Sequence, residues 1–394
     1  MRVFIADDSV VIRNIVKEIL AQQKGFEVVG EAANGQLALS RVLELQPDIV
    51  IMDMDMPVMN GLEATCRITR SSSIPVLMFS NNADPELPFR ALERGAADFL
   101  RKPDFNDINK PEYIRKFVDL LASISARYKG RIFFSYRQST DDCVASAAHQ
   151  PPPSTSRQTD VASRPLAGPG AGVAGQPQPV PRQNHQSIRV IVDAGDINIP
   201  PDLSLLRPGM AVLGASTGGP QAVLRFLTDL GAPLPIPLLV VQHIETGFDR
   251  GYAEWLSEES RQLVRLVMDG EVPKAGVVYI APTDIHLRCE YGRLRLDDGP
   301  KVLNQKPSVD VLFNSACESY GSRVLAILMT GMGTDGAAGC LAIKKQGGCT
   351  LVQDEATSLI YGMPKAAVDC DAASYIVPLP LISKYVRAAT GLSV

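Results

Sequence analysis

The chain has 394 residues, 45% of them hydrophobic and 21% charged, with a formal net charge of −4 at pH 7. That length accommodates two domains with a core each, and the slightly acidic balance argues against the broad positive field that general nucleic-acid binding requires. Seven cysteines, at 66, 143, 289, 317, 340, 349 and 370, form no CxxC pair and no cluster with histidine, so they read as reduced thiols. The opening MRVFIADDS reaches two aspartates before a signal-peptide stretch could form, and no run of about 18 apolar residues follows, so the expectation is a soluble cytoplasmic protein with no direct membrane insertion.

From residue 1 to about 127, short apolar runs alternate with amphipathic segments, the βα rhythm of a parallel sheet covered by helices on both faces. The predicted strands are VFIA (3–6), EVVGEA (27–32), DIVIM (48–52), IPVLMFS (74–80) and ADFL (97–100). Ile12, Ile15, Val16, Ile19 and Leu20 recur at helical spacing behind Ser9, a predicted N-cap. PEYIRKFVDLLASISARY puts proline at the head of an amphipathic run that ends near Lys129 and Gly130, which bounds a first domain at residues 1–130. Residues 131–203 form a predicted flexible linker rich in Pro, Gln, Ser and Ala, which buries too little surface to offset its ordering entropy. Within it, IRVIVDAGDINIP (188–200) has the pattern of an extra strand lying on a domain. The rhythm resumes over residues 204–394, with MAVLGAS, IPLLVVQH, GVVYIAP, RVLAILMT and CTLVQD as strands and helices over 221–230, 309–320 and 336–346. The predicted class is α/β, two doubly wound domains with mainly parallel sheets.

Ligands of an open α/β sheet gather at the carboxyl ends of its strands. In the first half that rule collects Asp7 and Asp8 after the first strand, Asp53 after the third, Ser80 at the end of the fourth and Lys102 after the fifth. Three neighbouring carboxylates repel unless a cation lies among them, and hard oxygen ligands suit Mg²⁺. One carboxylate can then accept a phosphoryl group while the lysine and serine hold the transferred oxygens. Asp55 is the nearby competitor for Asp53, but MPVMNG places it in the following loop. The ordered set DDS, DMDMPVMNG, Ser80 and KP resembles the receiver domain of bacterial response regulators over residues 1–125. The resemblance implies a flavodoxin-like fold, phosphorylation at Asp53, Mg²⁺ held by Asp7, Asp8 and Asp53, and phosphoryl contacts from Ser80 and Lys102. Phe99 falls where receivers usually carry an aromatic switch residue, and it reads equally as ordinary core.

In the second half, Gly214, Ser216 and Gly218 satisfy G-x-S-x-G on a predicted strand-to-helix turn, where a serine can stand exposed and loop amides can face an oxyanion. Of four histidines, His149 and His185 lie in the predicted linker. His243 ends a strand on the same carboxyl edge as Ser216, which favours it as general base over His286, a turn beyond another strand. Asp335, in a glycine-rich loop past a third strand, is better placed to orient the base than Asp249, Asp284 or Asp310. The order Ser…His…Asp departs from the Ser…Asp…His order of the α/β-hydrolases.

GASTGG, VVQH, PSVDVLFNS, LMTGMGTDG and QDEATSLIYGMP resemble the successive motifs of the bacterial chemotaxis protein-glutamate methylesterases over residues 208–390, and a receiver in front is that family's architecture. The resemblance implies Ser216 as nucleophile, His243 as general base, Asp335 as orienting carboxylate, and an oxyanion hole from the main-chain amides of Thr217 and Met332. It further implies hydrolysis of glutamate methyl esters on methylated cytoplasmic regions of chemoreceptors, deamidation of receptor glutamines, and a chemotaxis histidine kinase as phosphodonor. No metal-ligand cluster surrounds the serine, so the esterase is expected to need no cofactor. After the base, where the family often carries methionine and a proline-containing turn, the chain has Ile244, Glu245, Thr246 and Gly247. Asp354 and Glu355 read as loop-shaping. The alternative is a response regulator with a non-catalytic protein-binding output domain; a DNA-binding output lacks its basic helix-turn-helix pattern.

Overall fold

The computed structural model describes residues 1–80, 86–103, 110–128, 189–190 and 199–393. Most of the predicted linker, with His149, His185 and Cys143, and the segment directly after Ser80 lie outside the described residues. The first half alternates β1 (Arg2–Ala6), α1 (Val10–Ala21), β2 (Glu27–Ala32), α2 (Gly35–Leu45), β3 (Ile49–Asp53), α3 (Gly61–Ser71), β4 (Val76–Ser80), α4 (Leu87–Glu93), β5 (Asp98–Arg101) and α5 (Pro111–Tyr128). Its sheet is parallel throughout, in the order β2-β1-β3-β4-β5. β3 and β4 are buried along their whole length because helices cover both faces, which is why they read as unbroken apolar runs. Ser9 caps α1 as predicted, its side chain accepting from Ile12 N, and the helix buries Ile15, Val16, Ile19 and Leu20.

The second half comprises β6 (Arg189–Val190), β7 (Met210–Ala215), α6 (Gly219–Leu230), β8 (Leu238–Gln242), α7 (Asp249–Ser260), β9 (Leu263–Leu266), β10 (Val277–Ile280), β11 (His286–Glu290), β12 (Arg293–Asp297), α8 (Val309–Tyr320), β13 (Val324–Leu328), α9 (Ala337–Lys345), β14 (Cys349–Gln353), α10 (Met363–Asp369), β15 (Tyr375–Val377) and α11 (Leu379–Thr390). Its parallel sheet runs β6-β15-β14-β13-β7-β8-β10-β9. The pairing of β6 with β15 bears out the extra strand read from IRVIVDAGDINIP. Strand order reverses between β7 and β13, so the crevice where such sheets hold ligands opens there. Helices α6, α7 and α11 cover one face; α8, α9 and α10 cover the other together with the antiparallel hairpin β11–β12.

The two sheets belong to one compact unit. Phe89 of α4 is fully buried, stacked on Trp255 of α7 with ring centroids 5.2 Å apart and tilted against Tyr252 at 5.4 Å. Phe99 stands edge-on to Phe89 at 5.5 Å and to Phe248 at 5.8 Å. Five cysteines, at 289, 317, 340, 349 and 370, are free thiols. Among the described residues no helix is long and apolar enough to cross a membrane.

Candidate active site

The sheet of the first half brings its acidic residues together at one end. One ligand atom from each of Asp7, Asp8 and Asp53 lies within 4.8 Å of the others, with Asp7 and Asp53 buried and Asp8 exposed. Lys102 Nζ reaches Asp53 Oδ1 at 2.7 Å and Asp7 Oδ2 at 3.0 Å. The second contact is an ion pair without hydrogen-bond geometry, so Asp7 Oδ2 stays buried with no hydrogen-bond donor. Burial, reinforced by the charge of Asp7, pushes the Asp53 carboxyl up to about 6, against the opposing pull of Lys102. Burial alone would lower Lys102; its close contact with Asp53 and the charges of Asp53 and Asp7 outweigh it and raise the ammonium above its ordinary value. Ser80 is buried at the end of β4, and Asp55 is exposed in the loop, its N–H 3.4 Å from Asp53 Oδ1.

At the crevice of the second sheet, Ser216 follows β7 and precedes α6 by a turn in which Gly218 has φ of +73°, a conformation that favours glycine. The loop after β13 comes so close that a Cβ on Gly331 would stand 2.7 Å from Ser216 Cβ. Thr330 ties the pieces together: its carbonyl accepts from Ser216 N at 3.0 Å, and its hydroxyl donates to Thr217 O at 3.0 Å. β7 and β8 are paired neighbours, with Ala215 opposite Gln242 and His243 N donating to Ala215 O at 2.9 Å, so serine and histidine leave adjacent strands at the same level.

His243 Nε2 lies 3.0 Å from Asp335 Oδ2, and its Nδ1 is buried with no hydrogen-bond partner. Since a carboxylate only accepts, Nε2 carries the hydrogen and Nδ1 is the basic atom. Asp335 is 3% exposed, and burial would raise its carboxyl; the hydrogen bond and charge of His243, with the N–H groups of Asp310 and Val309, hold it below the usual carboxylate range. The other carboxylates are engaged elsewhere: Asp249 with Thr283, Asp284 with Thr246, Asp310 with Gly339 N. His286 is far from free as well, bonded to Ser308 N and Pro300 O. Among the turn's amides, Ser216, Gly218, Gly219 and Gly331 all donate to protein acceptors, whereas the N–H groups of Thr217 and Met332 donate to none among the described residues. A hollow of about 320 Å³, lined by Leu303, Asn304, Gln305, Met332, Gly333, Thr334 and Asp335, opens beside them.

Over 393 residues, spanning 99% of this chain and 97% of the relative, the sequence is 35% identical to protein-glutamate methylesterase/protein-glutamine glutaminase 2 of Anaeromyxobacter dehalogenans. The chain belongs to the protein-glutamate methylesterase family. It is also 35% identical over 393 residues to protein-glutamate methylesterase/protein-glutamine glutaminase 3 of Paramagnetospirillum magneticum, covering 100% of this chain and 97% of that one. The CheB methylesterase family model matches residues 211–386, and the response regulator receiver domain model matches residues 3–110. A crystal structure of the Thermotoga maritima CheB methylesterase catalytic domain is 35% identical over 46% of this chain and 98% of its own, with a TM-score of 0.43.

Three features of this methylesterase site had not been read from the sequence. Gln242, buried next to His243, donates through Nε2 to Ser216 O at 2.7 Å and to His243 O at 3.1 Å, bridging the two backbones. Ser308, the N-cap of α8, donates to Asp335 Oδ1 at 2.9 Å; the string PSVD, a capping serine before an acidic first turn, was its signal. Asp98 of the receiver accepts from Gly218 N at 3.1 Å through Oδ2, inside the turn that carries Ser216. Around it, Gln221 Nε2 donates to Leu92 O and Ala96 O, Trp255 Nε1 donates to Glu93, and Lys116 of α5 pairs with Glu245. Glu245, two residues after His243, therefore meets α5 of the first half. Asp354 Oδ1 accepts from Thr357 N at 3.0 Å, in keeping with its loop-shaping reading.

Proposed function

We propose that the chain is a phosphorylation-regulated methylesterase that hydrolyses glutamate methyl esters on the cytoplasmic regions of chemoreceptors to glutamate and methanol, and deamidates receptor glutamines by the same acyl chemistry. The observation that carries this reading is the 3.0 Å contact of His243 Nε2 with Asp335 Oδ2, which leaves Nδ1 as a buried base beside the Ser216 turn. Ser216 Oγ attacks the ester carbonyl as His243 Nδ1 takes its proton. The Thr217 and Met332 amides, which have no other acceptor among the described residues, receive the oxyanion. Collapse expels methanol, protonated by His243, and water activated by the same ring then releases the glutamate. Ammonia takes the place of methanol in deamidation.

In this reading residues 1–130 are a receiver, 131–203 a linker and 204–394 the catalytic domain, acting in the cytoplasm. Asp53 accepts phosphate from a chemotaxis histidine kinase, with Ser80 and Lys102 on the phosphoryl oxygens. The close-set oxygens of Asp7, Asp8 and Asp53, and the donorless Asp7 Oδ2, fit Mg²⁺, which would offset negative charge during transfer. Unphosphorylated, the receiver lies against the Ser216 turn through Asp98 and the Phe89 cluster; phosphate at Asp53 biases that contact towards release. The test is methanol release from membranes bearing methylated receptors. Ser216→Ala and His243→Gln should each lower it by several orders of magnitude with unchanged circular dichroism. Near-normal turnover in either variant would remove the assignment.

A further inference from the structure

We propose that His286 is a positioning residue for the esterase: it anchors Ser308 at the head of α8, and through Ser308 it fixes the carboxylate of Asp335 that orients His243. The inference rests on the triad reading above and adds a second histidine to it, one that never meets the substrate.

His286 opens β11 and is 2% exposed, in a site where both ring nitrogens have partners. Ser308 N is 3.1 Å from Nδ1, and Nε2 is 2.9 Å from Pro300 O. A main-chain N–H only donates and a carbonyl only accepts, so Nδ1 is the acceptor and Nε2 carries the hydrogen. The ring is thereby held in one tautomer and one orientation. Ser308 is fully buried and, with its N–H fixed on the imidazole, turns its hydroxyl onto Asp335 Oδ1 at 2.9 Å. The next two amides follow: Val309 N donates to Oδ2 at 2.8 Å and Asp310 N to Oδ1 at 2.9 Å. Three of the four donors on Asp335 thus come from one short stretch at the start of α8, and the fourth is His243 itself.

The rest of the neighbourhood leaves this duty to His286. The Asp310 carboxylate is spent on Gly339 N, and the N–H of Ser308 lies in the terminal turn of a helix, where no intrahelical acceptor exists for it. Without the imidazole that amide would be buried and unpaired, and the turn would move to relieve it. Any such movement shifts Ser308 Oγ and the two following amides together, hence the plane of the Asp335 carboxylate. The hairpin β11–β12 then has a catalytic reason for packing on α8: it delivers the anchor.

Two isosteres separate this role from simple packing. In His286→Asn the amide oxygen can take the place of Nδ1 and accept from Ser308, while the bond to Pro300 is lost. In His286→Gln the amide nitrogen can keep the bond to Pro300, and the acceptor for Ser308 is lost. Assayed in the full chain with saturating phosphodonor, His286→Gln should lower kcat about tenfold at unchanged KM, and His286→Asn should stay within about threefold of wild type. Ser308→Ala should match His286→Gln, and the double variant should be no worse than either single one. The proton resonance of His243 Nε2–H should move in His286→Gln and hold in His286→Asn. Equal kcat per folded molecule in both isosteres, or additive losses in the double variant, would overturn the proposal. Should His286→Gln fail to fold, Ser308→Ala decides, and a wild-type kcat there overturns it. An Asp335→Asn variant with full activity would sink the triad reading itself, whereas a crippled Asp335→Asn beside fully active His286→Gln and Ser308→Ala would sink only the positioning role.

Discussion

Replacing Phe89 with alanine should switch the esterase on without phosphate. Phe89 is fully buried against three aromatic rings, of which Phe99 belongs to the receiver and Tyr252 and Trp255 to the catalytic half. Truncating a buried phenylalanine costs about 3–5 kcal/mol. With two of its three ring neighbours across the contact, assigning roughly half of that, about 2 kcal/mol, to docking is reasonable. At 1.4 kcal/mol per factor of ten, the ratio of docked to released receiver should fall roughly 30-fold. Methanol release from receptor-bearing membranes, measured without phosphodonor, should therefore rise towards the rate that wild type reaches with saturating phosphodonor, and the phosphodonor should add little more. Trp255→Ala, cutting the same stack from the other side, should do likewise. A basal rate unchanged in both variants, with stimulation by phosphodonor intact, would refute occlusion by the receiver.

Burial pushes the Asp98 carboxyl from the ordinary 3.8 up to about 6, even against the N–H groups of Phe99 and Gly218. A group so raised binds its proton more tightly when docked, so docking is most favoured below the ordinary value and loses that favour as pH rises through about 6; stimulation by phosphodonor should be larger at about pH 5.5 than at about pH 7.5, and Asp98→Asn should flatten the difference. Gln242→Ala removes the bridge between the Ser216 and His243 carbonyls and should lower kcat about tenfold in the phosphorylated enzyme, measured by methanol release, with the thermal midpoint reporting any loss of fold. Asp53→Asn should keep the basal rate and abolish stimulation, and chelation of Mg²⁺ should block phosphate labelling of wild type while leaving its basal turnover unchanged.

Both sheets were legible because their central strands are buried on two faces and read as apolar runs, and because the functional residues follow those runs directly. What escaped has specific causes. β9 is an edge strand broken by Arg265, β15 is three residues long, and α7 has no side-chain cap. The hairpin β11–β12 did carry its signal, Leu287, Cys289, Leu294 and Leu296 alternating with charged residues around Tyr291 and Gly292, both at positive φ. Asp98 gave none: it sits within an apolar strand, and its partner belongs to a turn 120 residues on. Strand-end placement already favoured His243 over His286, and the fold adds the 3.0 Å contact with Asp335.

The unusual choice of ring nitrogen has a structural price tag of its own. Because Asp335 takes Nε2, the atom left for Ser216 in the proposed triad is Nδ1, the nitrogen nearer the backbone, and an imidazole presented this way has little reach. The spacing must come from the main chain, and it does: Ala215 and Gln242 are rungs of one ladder, and His243 N closes the next rung on Ala215 O. Neighbouring strands lie about 4.8 Å apart, whatever their loops do. The backbone spacing of Ser216 and His243 is thus a lattice constant of the sheet. Inserting one residue into β8 would carry the imidazole to the opposite face, so this active site should tolerate rewritten loops far better than a single slip of its second strand.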